Sequence, residues 1–436
     1  MSKEKLIPEL RFPEFKNEGE WEEEKLSIIS EVIMGSSPSS SSYNENGIGL
    51  PLLQGNADIK NRLSAPRIYT TEVTKECAFD DILLSVRAPV GTVAKSLHKA
   101  CIGRGISALR ALKPNSQEYL YQWLFSYEAS WQKVSQGGTF DAVNSDDIRN
   151  LLVPAPKPQE QQKIATCLSS LDEVIAAETQ YIATLQDHKK GLMQNLFPTN
   201  SITNDELRIT DDNDQFVIRN SQSRNLPKYR FKEFENDGGW VEKKLGEVAD
   251  VSKLAGYEFT KHIKYESKGK IIALRGLNIK NNRLDLTDVK YIDNSELNML
   301  GRSKLYIDDL MFTYIGTVGE VALIEENNKF YLAPNVARIR ANNKNVNPKF
   351  LLQYFNIPQF KDVEVVKYIS SSSQPALTMG NVRLFSLLLP TLKEQQKIAS
   401  CLSSLDALIT AQAEKIEQLK WHKKGLMQGL FPKIND

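Results

Sequence analysis

The sequence predicts an α/β (α+β) chain built as an internal repeat, in which two globular blocks of short strands and helices are each closed by a long heptad helix. Three observations predict it. First, residues 160–198 read EQQKIATCLSSLDEVIAAETQYIATLQDHKKGLMQNLFP and residues 394–432 read EQQKIASCLSSLDALITAQAEKIEQLKWHKKGLMQGLFP, with 26 of 39 positions identical at a fixed offset of 234. Second, both copies carry apolar residues in steps of three, four or seven. These fall at Ile164, Leu168, Leu171, Ile175, Ile182, Leu185, Leu192 and Leu196, then at Ile398, Leu402, Leu405, Ile409, Ile416, Leu419, Leu426 and Leu430. That spacing is an a/d stripe, and two helices with matching narrow stripes bury them most economically against each other. Third, the segment Leu10-Arg11-Phe12-Pro13-Glu14-Phe15, with Trp21 and Lys25-Leu26, recurs as Tyr229-Arg230-Phe231-Lys232-Glu233-Phe234, with Trp240 and Lys244-Leu245. A repeat this long sets the whole architecture, so it is read before any single element.

In chain order, the lead-in segment runs into a first globular block over residues 21–157. Short β-rich runs at 48–53, 82–86 and 106–112 are separated by turn-forming stretches, among them 36–42 and Gly137-Gly138. A helix is expected over 118–132, where Tyr119, Trp123, Tyr127 and Trp131 recur at helical spacing and are read as core. Pro154, Pro156 and Pro158 exclude helix until the long helix begins. That helix is interrupted at the same seam positions in both copies, by Glu178 and Gln412 and by Lys189 and Lys423. At about 1.5 Å rise per residue, such a helix is roughly 60 Å long. A polar stretch over 199–225 reads as a linker, within which residues 216–218 are a candidate short strand. The second block, over 240–393, replays the first with different side chains. Asp80-Asp81-Ile82-Leu83-Leu84 matches Asp308-Asp309-Leu310-Met311-Phe312, and Leu53-Gln54-Gly55-Asn56 resembles Leu274-Arg275-Gly276-Leu277-Asn278. The expected divisions are therefore 1–158, 159–198, 199–225, 226–393 and 394–436.

Composition narrows the function classes. Of 436 residues, 55 are basic and 54 acidic, a net charge of +1. A self-sufficient nucleic-acid binder is commonly much more basic, so any DNA contact must use a local patch or share the phosphate grip with partners. No apolar run approaches the roughly 18 residues of a membrane-spanning helix, and the N-terminus lacks the apolar core of a secretion signal. The four cysteines have no CxxC spacing, which disfavours a zinc site or disulfide framework and fits a reducing cytoplasm. Catalytic signatures are missing. There is no phosphate-binding GxxxxGK[ST] loop, no Pro-Pro dipeptide of the kind amino-methyltransferases use, no Pro-Asp nuclease pair and no expected Gly-x-Gly nucleotide loop after a strand. Four scattered histidines form no catalytic or metal cluster. The Ser-rich runs at 36–42 and 370–373 read as flexible loops that could order on DNA.

The paired Glu-Gln-Gln-Lys-Ile-Ala…Leu-Ser-Ser-Leu-Asp helices, their Lys-Lys-Gly-Leu-Met-Gln…Leu-Phe-Pro ends and the Arg-Phe-x-x-Phe…Trp…Lys-Leu lead-ins together resemble the specificity (S, HsdS) subunit of type I restriction-modification enzymes, over essentially the whole chain. The resemblance implies that each block is a mixed α/β target recognition domain reading one half of a split, asymmetric DNA sequence. It implies that the long helices are spacers that pair antiparallel with pseudo-twofold symmetry and separate the domains. It also implies docking of two methylation subunits that carry S-adenosylmethionine chemistry on adenine, and of motor-nuclease subunits that use ATP and Mg. This chain would then hold no cofactor or metal and have no catalytic residue. The rival reading is a non-catalytic coiled-coil scaffold with two protein-binding domains.

Direct readout uses Arg or Lys against guanine and Asn or Gln against adenine. The DNA-contact candidates in the first block are Gln54, Asn56, Lys60, Arg87, Arg104, Gln136 and Thr139. Those in the second are Arg275, Asn278, Lys280, Tyr314, Asn335, Arg338, Ser372 and Gln374. On the helices, Gln161, Gln162, Lys163, Lys190, Gln395, Gln396, Lys397 and Lys424 are the candidate docking residues for the methylation subunits.

Overall fold

A computed structural model describes residues 6–131, 143–198, 225–254, 256–369 and 375–432. The expected linker up to residue 224 with its candidate strand, the second Ser-rich run and Gly137-Gly138 lie outside these. The chain forms two compact units, one of residues 1–180 and 413–436 and the other of residues 181–412. The division falls inside both long helices.

In the first unit, Arg11 anchors the lead-in. Its guanidinium makes two 2.8 Å hydrogen bonds to the Glu160 carboxylate and donates to the carbonyls of Glu18 and Gly19 at 2.7 and 2.8 Å. Trp21 follows into the core, and strand Glu22–Lys25 pairs antiparallel with Leu152–Ala155. Pro154 is accommodated because that ribbon has only two strands, and Pro158 sits at the first turn of the long helix, where no backbone donor is needed. Two larger sheets complete the unit. One has six strands in the order Ser30–Met34, Ile106–Ala111, Ile82–Ser85, Val93–Lys95, Leu63–Ser64 and Ile59–Lys60. The other has five, in the order Tyr43–Asn44, Ile68–Thr70, Leu50–Leu53, Ala100–Ile102 and Glu76–Cys77. Ile82–Ser85 reads as an unbroken apolar run because it is buried throughout. The expected aromatic helix is Gln117–Tyr127, continued by a 3-10 turn at Glu128–Ser130, and Ser116 caps it by accepting from the Tyr119 amide. Tyr119, Trp123 and Trp131 are buried core, as read from their spacing. The Tyr119 hydroxyl donates to the Pro154 carbonyl at 2.6 Å, and burial pushes its ionisation well above the ordinary tyrosine range.

The second unit repeats the plan. Arg230 grips Glu394 at 2.7 and 2.9 Å, and strand Val241–Lys244 pairs with Ser386–Leu389. The larger sheets are Ala249–Lys253, Val336–Ala341, Leu310–Thr313 and Val321–Leu323, and then Lys290–Tyr291, Ile272–Leu274 and Phe330–Leu332. Asn347 caps helix Pro348–Tyr354 through the Phe350 amide at 3.0 Å. Much of the extra length falls in one place. The offset between matching strands is 279 − 59 = 220 at Ile59 and Ile279, but 310 − 82 = 228 at Ile82 and Leu310. The inserted stretch contains the 3-10 segment Leu297–Ser303.

The long helices run from Pro158 to Leu196 and from Leu392 to Leu430, and each unit holds an antiparallel stretch of both. In the first unit Ile164 and Leu168 share a core with Met427, Leu430 and Phe431, and Lys423 donates to Asp172 at 2.6 and 2.7 Å. In the second unit Ile398, Ala399 and Leu402 share a core with Leu196 and Phe197, and Lys189 donates to Asp406 at 2.6 Å. Rising numbers on one helix meet falling numbers on the other, which is what fixes the antiparallel sense. The lysine interruptions of the seam, Lys189 and Lys423, are therefore ion pairs. Each Asp also accepts from a glutamine of the globular block, Gln122 to Asp172 at 2.8 Å and Gln353 to Asp406 at 2.9 Å.

Candidate nucleic-acid interface

In each unit three loops leave matching strand ends together, and most of the described contact candidates lie on them. In the first unit the strands are Leu50–Leu53, Ile82–Ser85 and Ala100–Ile102. The Gly103 amide donates to the Leu53 carbonyl at 2.8 Å and the Val86 amide to the Gly105 carbonyl at 3.0 Å, which ties the three loops into one edge. A Cβ on Gly105 would stand 2.1 Å from the Gln54 carbonyl oxygen, so only glycine allows this approach. Gly103-Arg104-Gly105 corrects one expectation, because a Gly-x-Gly does follow a strand. It leads into strand Ile106–Ala111 rather than a helix, so it lacks the helix N-terminus that a nucleotide loop requires. The first Ser-rich run is also not the loose loop expected. The Ser36 amide donates to the Ile102 carbonyl at 2.9 Å, the Ser37 hydroxyl accepts from the Arg104 amide at 3.2 Å, and Ser40–Ser42 form a 3-10 turn.

Gln54 donates to the Tyr43 hydroxyl at 3.1 Å, and Asn56 donates to the Pro89 carbonyl at 2.7 Å. Arg87 and Arg104 are exposed and have no ion-pair partner among the described residues. Lys60 is exposed on a two-residue hairpin whose central residues, Asn61 and Arg62, have φ of 50° and 64°, the handedness such hairpins need. Gln136 and Thr139 lie outside the described residues.

In the second unit the corresponding strands are Ile272–Leu274, Leu310–Thr313 and Phe330–Leu332. The same bonds recur, from the Ala333 amide to the Leu274 carbonyl at 3.0 Å and from the Tyr314 amide to the Asn335 carbonyl at 3.3 Å. The loops border a cleft of about 690 Å³ whose lining includes Arg275, Lys280, Lys290, Asn335, Leu277, Ile315, Pro334 and Glu320. Three cations face one carboxylate there, and Glu320 is already engaged by the Asn281 amide at 3.1 Å and by Lys361 at 3.4 Å. The cleft is thus locally basic in a chain of net charge +1. Arg275 donates to the Asp288 carbonyl at 2.7 Å, while its Nε is buried with no hydrogen-bond partner. Lys280 pairs with Asp285 at 2.9 Å, and the Thr287 hydroxyl followed by Lys280 holds the Asp285 carboxyl below its ordinary range. Asn335 is exposed with φ of 70°.

Three candidates in this unit are structural instead. Asn278 is fully buried, accepts from the Arg275 amide at 3.1 Å and donates to the carbonyls of Asp285 and Asp288 at 2.9 and 2.8 Å. Its counterpart is Asp58, which accepts from the Gln54 amide at 2.8 Å, and not Asn56, because the first loop is one residue longer. Arg338 lies in mid-strand, its side chain buried against Asp250 and the Arg302 carbonyl, and this burial keeps its guanidinium from reaching a base. Tyr314 belongs to the hydrophobic core, and burial raises its ionisation. Ser372 and Gln374 lie outside the described residues. Sequence reasoning missed Lys290, Leu277, Ile315 and Pro334. The Ala333 and Val86 correspondences that reveal them are backbone bonds, which leave no mark in the side-chain pattern.

On the long helices, Gln161 and Gln395 turn inward. Gln161 accepts from the Ser116 amide at 2.9 Å and donates to Asn115 and the Pro156 carbonyl at 3.0 and 2.9 Å. Gln395 accepts from the Asn347 amide at 2.8 Å and donates to the carbonyls of Asn345 and Pro390 at 3.3 and 2.9 Å. Both are buried, so their identity between the copies reflects the domain–helix junction and not an outer face. Gln162, Lys163, Lys190, Gln396, Lys397 and Lys424 are exposed. Lys163 pairs with Glu14 at 2.9 Å and Lys397 with Glu233 at 3.2 Å.

The sequence pattern of the family described as "Type I restriction modification DNA specificity domain" matches residues 18–187 and 237–420. The chain belongs to that family. Both specificity domains are covered, each from just before its tryptophan, Trp21 or Trp240, through the greater part of its long helix. Among curated proteins, a putative type I restriction enzyme MjaX specificity subunit of Methanocaldococcus jannaschii is 36% identical over 39% of this chain and 40% of its own length. The MjaIX specificity subunit of the same organism is 28% identical over 53% and 52%. The chain thus spans about half the length of these relatives or less. The EcoBI specificity subunit of Escherichia coli is 19% identical over 95% of this chain and 85% of its own length. In fold, the chain resembles a crystal structure of a type I restriction-modification S subunit from M. genitalium, with a TM-score of 0.60 at 15% identity over 99% and 100% of the two chains. A second solved structure, described as underlying complex assembly and conformational transition of the type I R-M system, matches with a TM-score of 0.52 at 18% identity over 94% and 97%. The α+β specificity-domain fold expected from the repeat is therefore the fold of the family. Among the described residues no helix is long and apolar enough to cross a membrane, and no group of His, Cys, Asp and Glu is placed to hold a metal ion.

Proposed function

We propose that this chain is the DNA sequence-recognition subunit of a type I restriction-modification complex in the cytoplasm. Each specificity domain reads one half of an asymmetric bipartite target. The observation that carries the proposal is the reading edge itself. The same backbone frame is built twice, at the ends of three strands, and it presents different side chains in the two copies. A shared frame with exchanged side chains is what two readers of unlike sequences require, because phosphate contacts position a protein while base edges specify it. Gln54, Asn56, Lys60, Arg87 and Arg104 form the reading set of the first domain, and Arg275, Lys280, Lys290 and Asn335 that of the second.

The chain itself carries no cofactor and performs no chemistry. Two methylation subunits, holding S-adenosylmethionine, methylate adenine, and motor-nuclease subunits using ATP and Mg cut DNA. The methylation subunits dock on the exposed faces of the long helices, around Gln162, Lys163, Lys190, Gln396, Lys397 and Lys424. The low net charge fits this division, since partners supply much of the phosphate grip. The test is to replace residues 21–157 with the corresponding block of another family member and map adenine methylation by long-read sequencing. One half of the methylated motif should change and the other should stay. A change in both halves, or in neither, would refute modular reading.

A further inference from the structure

The two reading edges are equivalent in backbone and carry different side chains. The paired amide–carbonyl bonds align Leu53 with Leu274, Gly103 with Ala333, Val86 with Tyr314 and Gly105 with Asn335. A third pair agrees, from the Gly91 amide to the Ser85 carbonyl at 2.9 Å and from the Gly319 amide to the Thr313 carbonyl at 3.0 Å. Gln54 therefore stands where Arg275 does, Arg87 where Ile315 does, and Arg104 where Pro334 does. The first edge has two exposed arginines on adjoining loops with no ion-pair partner among the described residues. The second has one arginine, its guanidinium held by the Asp288 carbonyl, with Leu277, Ile315 and Pro334 lining the same cleft; Leu277 is 45% exposed.

In the major groove a guanidinium suits the O6 and N7 acceptors of guanine, and an apolar side chain suits the thymine methyl group. We propose that the two domains read by different chemistry. The first takes a half-site fixed by two guanine contacts, through Arg87 and Arg104. The second takes a half-site with one guanine contact, through Arg275, beside a thymine whose methyl group packs on Ile315. This rests on the DNA-reading role proposed above and gives each half-site its base class. Arg275 is suited to its task because Asp288 limits the rotamers that a free arginine would lose on binding. Arg87 and Arg104 have no such restraint, so they lose more side-chain entropy on contact and gain more from new hydrogen bonds.

The experiment maps adenine methylation in a host expressing the complete complex with the wild-type chain or with Arg87→Gln, Arg104→Gln, Arg275→Lys or Ile315→Ala. The block exchange described above identifies which half-site belongs to which domain. Glutamine pairs with adenine in the groove, so Arg87→Gln and Arg104→Gln should each move one guanine of the first half-site toward adenine, changing preference by about tenfold to a hundredfold. Arg275→Lys keeps the charge and loses the bidentate fork, so it should weaken the preference at one guanine of the second half-site only. Ile315→Ala should relax one thymine there by less than about tenfold. Arg87 and Arg104 are exposed and have no ion-pair partner among the described residues, so their variants remain informative about reading and not about folding. A wild-type motif lacking guanine in the first half-site would overturn the inference. So would arginine variants that lower methylation uniformly while the motif is unchanged, the mark of phosphate contacts. A wild-type complex with no bipartite motif would instead overturn the DNA-reading role itself.

Discussion

The N-terminal and C-terminal halves of this chain keep the same junction and exchange almost everything beyond it. At the junction, Arg11 with Glu160 and Arg230 with Glu394 are superposable in role. So are Gln161 and Gln395, and so are Asp172 with Lys423 and Asp406 with Lys189. At the reading edge, Gln, Arg and Arg in one half correspond in position to Arg, Ile and Pro in the other. The difference teaches where constraint lies. A buried carboxylate without its guanidinium is costly in either half, whereas a solvent-facing loop side chain can be replaced with little effect on stability.

That comparison can be broken at four points, in descending order of effect. Arg11→Ala leaves the Glu160 carboxylate, 1% exposed, without its ion pair, and should cost about 3–5 kcal/mol in urea unfolding. Arg230→Ala should cost measurably less, because Trp240 Nε1 still donates to Glu394 at 3.3 Å, whereas Trp21 Nε1 makes no such bond. Equal losses would show that the indole contributes nothing. Next, Leu168→Ala and Leu402→Ala remove fully buried seam side chains and should each cost about 2–5 kcal/mol by the same measurement. Values far apart in the two variants would show that the helix seams are packed differently. Third, Gln161→Ala and Gln395→Ala remove the acceptors of the half-buried Ser116 and Asn347 amides and the buried donors to Pro156 and Pro390, and should each cost about 1–3 kcal/mol. Methylation by complexes that still assemble should then be unchanged in sequence preference, since neither residue is at the reading edge.

The smallest effect is one of pH. Burial pushes the Tyr354 hydroxyl up to about 12, and its oxygen accepts from the Leu388 amide at 3.0 Å. An unfolded tyrosine ionises near pH 10. The folded chain therefore holds the proton longer, and the stability present below pH 10 is lost as the pH rises toward 12. Tyr354→Phe should flatten that alkaline loss in thermal melts between pH 9 and about 12, apart from any constant cost of the orphaned Leu388 amide. An unchanged alkaline slope would assign the loss to other groups. Tyr119, in the other half, is raised by the same burial, so Tyr119→Phe should act in the same direction.

Much of this architecture was legible in the residues alone. The long-range repeat, the heptad stripe, the lead-in arginine and tryptophan, and the strands near 82–86 and 106–112 all express periodicities that burial imposes on sequence. The polar seam positions were legible as interruptions, but their ion pairing was not. Whether Lys423 faces Asp172 depends on the antiparallel sense of packing, which a stripe on one helix does not specify. The reading edge was legible only in part. Exposed Arg87 and Arg104 could be named from residue type and turn context. Arg338, Tyr314 and Asn278 were named on the same grounds of residue type and turn context but are buried, because accessibility depends on which face of a strand or loop meets the core. Gln161 shows the same limit, since identity between copies marks constraint without telling an internal bond from an external one. Family, repeat and helix pairing thus followed from local pattern. The cleft around Arg275, the three-loop edge and the correspondence of Arg87 with Ile315 came only from tertiary structure, because backbone hydrogen bonds between distant strands carry no side-chain signature.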